Sequence, residues 1–108
     1  MEFCGGHTHW ILRYGIRDLL PDTVTMSSGP GCPVCVTSPR DIDAAIAAAV
    51  TPGVTVATYG DLIRVPGSHD SLERARARGA DIRVVYSAMD ALAIAMQQPA
   101  RQVILLGI

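Results

Sequence analysis

The sequence predicts an α/β fold of Rossmann-like type: an open parallel sheet with helices on both faces. Three features carry that expectation. Apolar runs alternate with stretches of helical period along all 108 residues. The apolar runs are continuous, as in strands whose sheet is covered on both faces. Between them lie helical stretches of roughly a dozen residues, the length of a right-handed crossover between parallel strands.

The expected order is β-α-β-α-β-α-β-α-β in a single domain, residues 1–108. Met1 to Cys4 reads as the end of a first strand. Thr8 to Leu20 reads as a helix with Ile11, Leu12, Ile16, Leu19 and Leu20 near one face, weakened by Gly15 and ended by Pro21. Val24 to Ser28 is a short strand. Ser38-Pro39 opens the next helix with a capping hydroxyl, a proline at the first helical position and Asp41 near the positive dipole end. Ile42, Ile46 and Val50 define its expected buried face. Val54 to Thr58 is a strand after Gly53. Asp70-Ser71-Leu72-Glu73 has capping-box spacing and opens a helix that closes at Gly79. Ile82 to Tyr86 is a strand. Ser87 caps a helix on which Met89 and Met96 read as core, and Val103 to Leu106 is the last strand. The chain starts inside one apolar strand and stops on another at Ile108, which predicts a piece of a longer, multi-domain protein, incomplete at both ends.

Composition narrows the function. The formal net charge is −1, with nine arginines, no lysine and ten acids, so a general nucleic-acid binder is not expected. The longest aliphatic run lacking glycine, Ala44 to Val50, is too short to span a membrane. Met1-Glu2-Phe3-Cys4 has neither the basic stretch nor the apolar core of a secretory signal. Three cysteines cannot close a disulfide framework, which points to a reducing, cytoplasmic setting and to thiol or metal chemistry.

In an open parallel sheet, ligands bind beyond the carboxyl ends of the strands. Three segments are expected there, and they can converge if their strands are neighbours. The first is Cys4-Gly5-Gly6-His7-Thr8-His9. Its glycines let backbone N–H groups approach a bound anion or metal complex, and a thiol near a helix N-terminus ionises more readily. His7 can coordinate a metal or shuttle a proton. The bland alternative is a structural cysteine beside a glycine turn. The second segment is Gly29 to Cys35, containing Cys32-Pro33-Val34-Cys35. Thiols at that spacing can close a small disulfide, with each tuning the other's acidity, or can supply two of four metal ligands. The third runs from Thr58 to Ser68. Asp61 and Arg64 there could pair, orient a thiol or hold a partner, or could be a helix cap and a solvated arginine. The glycines match no phosphate-binding loop. Arg74, Arg76 and Arg78 read as a solvated face.

These motifs, in this order, resemble the hydrogenase maturation factor HypD family. Those that carry the resemblance are Cys4-Gly-Gly-His-Thr-His9, Gly29-Pro-Gly-Cys-Pro-Val-Cys35, Thr58-x-Gly-Asp-x-x-Arg-Val-Pro-Gly-Ser68 and Gly79-Ala-Asp-Ile-Arg-Val-Val-Tyr-Ser-x-x-Asp-Ala-Leu92. The resemblance implies a scaffold on which the Fe(CN)2CO part of the nickel–iron hydrogenase centre is assembled. It implies a HypC-like small chaperone and a HypE-like cyanide donor as partners. Cys4 would be the iron ligand, with Gly5 and Gly6 lining the iron complex and His7 in support. Cys32 and Cys35 would be the redox pair, and Asp61 and Arg64 would line the same cleft. Family members are several times longer. Their [4Fe-4S] cluster cysteines lie in a C-terminal region absent from these 108 residues. Trp10 stands where the family usually has a small residue. Such a protein is more a maturation scaffold with thiol redox activity than a turnover enzyme. Two other readings of the residues remain: a stand-alone thiol–disulfide oxidoreductase using Cys32 and Cys35, and a structural zinc module using Cys4, His7, Cys32 and Cys35.

Overall fold

The computed structural model describes residues 1–107, so the expected strand end at Ile108 lies outside the described residues. The chain forms two compact units, Met1–Val36 and Thr37–Ile108.

The second unit holds a three-stranded parallel sheet in the order β2-β1-β3, with β1 Val54–Thr58, β2 Ile82–Val84 and β3 Gln102–Leu106. Val56 pairs with Ile82 on one side and Ile104 on the other. Alternation along β1 divides the core into two layers. Val54 and Val56 pack with Ile82, with Ala45 and Ala49 of α3 (Pro39–Ala49), and with Leu72 and Ala75 of α4 (Leu72–Ala77). Ala57 packs with Val85, Val103, Leu105, and with Ala91 and Ile94 of α5 (Ala88–Gln97). Helices thus cover both faces, and this is an open, Rossmann-like α/β arrangement.

The caps set the helices. Ser38 Oγ accepts the Asp41 N–H at 3.2 Å, with Pro39 at the first helical position. Ser87 and Asp90 form a full capping box on α5. On α4 the cap is Ser71, which accepts the Arg74 N–H at 3.3 Å. Of the neighbouring acids, Asp70 accepts the Ser71 N–H at 2.8 Å and pairs with Arg78, and Glu73 pairs with Arg64 at 3.5 Å.

Two expected core faces are corrected. On α3 the buried stripe is Ile42, Ala45 and Ala49, while Val50 lies beyond the last turn, 59% exposed. On α5 the cap phases the helix so that Ala91 and Ile94 face the sheet. Met89 and Met96 point outward, 69% and 75% exposed, and are not core. Strand β2 is also shorter than expected, and Tyr86 is 90% exposed.

Leu72 is fully buried between α3 and the sheet. Leu72→Ala is expected to cost about 3 kcal/mol, read as a lower urea midpoint at unchanged slope. Asp81 accepts hydrogen bonds from Arg83 at 2.5 Å and from the buried Thr55 hydroxyl at 2.7 Å, with Arg101 at 3.4 Å. The Arg83 bond and then the Thr55 hydroxyl hold its carboxyl below the ordinary carboxylate value. A depressed folded pKa gives stability that is present above the unfolded value and lost as pH falls through the folded one. Asp81→Asn is therefore expected to flatten the acid limb of a stability–pH profile below about pH 4.

The first unit departs from expectation. Met1 to Cys4 and Val24 to Ser28 are not sheet strands; they meet in one parallel bridge, Glu2 to Ser28. A turn in which the Pro21 carbonyl accepts the Val24 N–H at 2.8 Å opens the second segment, and Pro30 follows without a donor. Too little backbone is left to pair. The expected Thr8 to Leu20 helix is two pieces, α1 (Gly5–Arg13) and a 3-10 turn (Ile16–Leu19), broken at Gly15 in the left-handed region (φ 59°). Helix α1 starts three residues earlier than expected, because Cys4 acts as its N-cap residue.

Candidate metal and thiol site

Both cysteine loops belong to the first unit, each on the carboxyl side of the Glu2–Ser28 bridge. The placement rule for parallel strands therefore survives on a single pair of residues. Cys4 sits at the N-cap of α1 in extended backbone, and its side chain caps nothing. Cys32 precedes the one-turn helix α2 (Pro33–Val36), where its carbonyl accepts the Cys35 and Val36 N–H groups at 2.9 and 3.1 Å. That turn brings Cys35 back beside Cys32.

The three sulfurs form one cluster. Cys32 Sγ is 3.0 Å from Cys35 Sγ and 3.9 Å from Cys4 Sγ, and all three lie within 4.8 Å of one another. They are the only such group of metal-ligating side chains among the described residues. Tetrahedral coordination at a metal–sulfur distance near 2.3 Å places sulfurs about 3.8 Å apart, so the cluster is near the size of a single-ion site. A Cβ at Gly5 would lie 3.6 Å from Cys35 Sγ, and one at Gly6 would lie 3.8 Å from Cys4 Sγ. The two glycines keep side-chain carbon away from the sulfurs.

The thiol pair is electrically split. Cys35 is exposed, accepts the Cys32 S–H and takes a backbone N–H from Gly5, and its thiol is held below the ordinary value. Donation of the S–H to Cys35, helped by burial, pushes the Cys32 thiol up. Cys35 is thus the more acidic thiol of the pair and Cys32 the less acidic one. With the sulfurs 3.0 Å apart, a small movement closes a disulfide.

The other expected residues are placed as follows. His7 is exposed on the first turn of α1, and it is outside the sulfur group. Asp61 and Arg64 are exposed on a 3-10 turn of the second unit (Gly60–Arg64) whose Leu62 and Ile63 are buried, with Arg64 paired to Glu73. The loop that follows is tied to α3: Asp43 accepts both the Ser68 N–H at 2.8 Å and the Ser68 hydroxyl. A Cβ on Gly67 would collide with the Asp43 carboxylate, which accounts for the glycine of the Arg-Val-Pro-Gly-Ser stretch.

Sequence reasoning missed Glu2 and Thr8. Glu2 Oε2 accepts the Cys4 N–H at 3.2 Å, and Oε1 accepts the Thr8 hydroxyl at 2.5 Å. An acid two residues before an N-cap, with a hydroxyl on the first turn, was the available signal.

Comparison with known proteins matches this sequence to a family. The family model HypD, described as "Hydrogenase formation hypA family", matches residues 1–108. The chain is 62% identical to hydrogenase maturation factor HypD of Rhizobium leguminosarum bv. viciae over 109 aligned positions, covering 100% of this chain and 28% of that protein. It is 58% identical to HypD of Cupriavidus necator and 51% identical to HypD of Escherichia coli K12, again over the whole chain and 29% of each relative. The chain thus spans under a third of the length of these relatives. With the match running from end to end, the chain belongs to the HypD hydrogenase-formation family.

Proposed function

We propose that the Cys4–Cys32–Cys35 cluster is where iron is held while the Fe(CN)2CO unit of a nickel–iron hydrogenase is assembled, with a HypC-like chaperone and a HypE-like cyanide donor as partners. Iron here is cargo, not a resident cofactor. The observation that carries the reading is three sulfurs within 4.8 Å in a chain of the HypD family. Thiolates are soft ligands suited to iron that also carries cyanide and carbon monoxide. Cys4 is the first ligand in this reading, because neither a cap nor a helical turn claims its sulfur. Gly5 and Gly6 leave room for the anionic complex, and the N–H groups at the start of α1 favour its charge. His7 is proposed as a supporting residue. Cys32 and Cys35 supply redox capacity: closing their disulfide releases two protons to solvent and two electrons, which in the longer family members a [4Fe-4S] cluster would carry away one at a time. No helix among the described residues is long and apolar enough to cross a membrane, and cytoplasmic action is part of the proposal.

Cobalt(II) titration tests the metal reading. Thiolate-to-cobalt charge-transfer bands saturating at one ion per chain are expected. Their absence from fully reduced protein would overturn it. The split acidity of Cys32 and Cys35 favours a second reading, a plain thiol–disulfide oxidoreductase. That reading predicts disulfide exchange by metal-free protein at the same rate in Cys4→Ala.

A further inference from the structure

We propose that Glu2 is the positioning residue that sets Cys4 against the Cys32–Cys35 pair, its carboxylate fixing the first cysteine loop and its backbone the second. The inference rests on reading the three cysteines as one site. It does not depend on which ion that site takes.

Each arm is independent. On the side-chain arm, one carboxylate oxygen holds the Cys4 N–H at 3.2 Å and the other holds the Thr8 hydroxyl at 2.5 Å. The same hydroxyl lies 3.3 Å from the Cys4 carbonyl, whose oxygen also takes the Thr8 N–H at 3.0 Å. Cys4 is thereby held on both of its peptide groups. Gly5 and Gly6 are poor helix formers, and these bonds offset their cost at the start of α1. On the backbone arm, the Glu2 N–H donates to the Ser27 carbonyl at 3.0 Å, and the Gly29 N–H donates to the Glu2 carbonyl at 2.6 Å. The two segments approach so closely that a Cβ on Gly29 would lie 2.8 Å from Phe3 Cβ and 2.9 Å from the Glu2 oxygen. Cys32 follows three residues after Gly29. A single residue therefore ties together two cysteines that are 28 positions apart in sequence.

The carboxylate is matched by glutamine but not by alanine. Glutamine keeps an oxygen for the Cys4 N–H, and its amide can donate to Thr8 Oγ1 while that hydroxyl donates to the Cys4 carbonyl. Alanine leaves the Cys4 N–H and the Thr8 hydroxyl without this partner.

The test measures proximity without any metal. In a Cys35→Ser background only Cys4 and Cys32 can cross-link, and their rate of disulfide formation with diamide reports their effective concentration. Glu2→Ala is expected to slow it about tenfold, with Glu2→Gln within about threefold of the parent. The rate in denaturant should be the same for all three. In a Cys4→Ser background the local Cys32–Cys35 disulfide should form at the parent rate with or without the Glu2 carboxylate. Native cross-linking of Glu2→Ala at the parent rate would overturn the proposal. So would slowing that glutamine does not relieve. If circular dichroism shows that Glu2→Ala does not fold, Thr8→Ala carries the test through the same arm, with slowing expected and an unchanged rate contradicting the proposal. Failure of the parent protein to bind cobalt would count against the metal reading and leave this rate comparison decisive.

Discussion

Cys4→Ala is expected to lower retention of iron(II), or of cobalt(II) as its probe, by more than about 100-fold while leaving the fold in place. Loss of groups that merely orient a metal ligand costs 10–100-fold, so loss of a ligand sulfur sets that as a floor. The fold is spared because the Cys4 side chain makes no cap bond, and its peptide groups, not its sulfur, are held by Glu2 and Thr8. Cys32→Ala should be more damaging. Cys32 is the sulfur close to both others, at 3.0 and 3.9 Å, so the substitution should lose both the metal and the internal disulfide. Cys4→Ala should lose only the metal. Anaerobic metal titration and thiol counting on the same samples give both readouts. Wild-type metal retention in Cys4→Ala would remove this residue as the principal ligand.

The second large effect is selectivity within the thiol pair. Cys35 is expected to react with iodoacetamide at least about tenfold faster than Cys32 near neutral pH. Its pH midpoint should lie below the ordinary thiol value, and that of Cys32 above it, until Cys35 is blocked. Thiolate is the nucleophile, so a lowered pKa moves the rise in rate to lower pH. Mass spectrometry of the peptide from each cysteine separates the two curves. The Gly5 N–H offers a control, with the ring carbon that proline adds near Cys35 Sγ acting in the same direction. Gly5 occupies the first position of α1, where proline is tolerated, and the extended backbone of Cys4 (φ −120°, ψ 122°) suits a residue before proline. Gly5→Pro removes this donor to Cys35 and should move the Cys35 midpoint up towards the ordinary value. Equal rates at Cys32 and Cys35, or a midpoint that ignores Gly5→Pro, would contradict the asymmetry.

How much the sequence disclosed depended on what enforces each element. The second unit was legible because its signals are local and agree with one another. Ser38-Pro39, Ser71 and Ser87 start helices, and continuous valine and isoleucine runs pack on both faces of one sheet. The errors there were of helix phase. Alternation by four put Val50 inside, but residues three, four and seven apart share a helix face, and alanines suffice at the close α3 contact. The same small-residue contact at Ala91 left Met89 and Met96 outside. The first unit was less legible because tertiary bonds override propensity. Gly5 and Gly6 argue against a helix start, yet Glu2 and Thr8 make one. The cysteine motifs were legible as chemistry, and Cys4, Cys32 and Cys35 do come together. The groups that hold them there carry ordinary side chains, and the one signal of the clamp was local: an acid two residues before the N-cap and a hydroxyl on the first turn.

In the proposed function, the sulfur cluster holds iron while cyanide and carbon monoxide are added to it. Infrared spectroscopy tests it most directly, on the full-length protein isolated without oxygen together with the proposed HypC-like partner. Stretching bands of iron-bound cyanide and carbon monoxide are expected in the wild type and absent in Cys4→Ala. A wild-type spectrum without those bands, from protein whose Cys32 and Cys35 still cycle between thiol and disulfide, would contradict the scaffold reading and leave a thiol oxidoreductase.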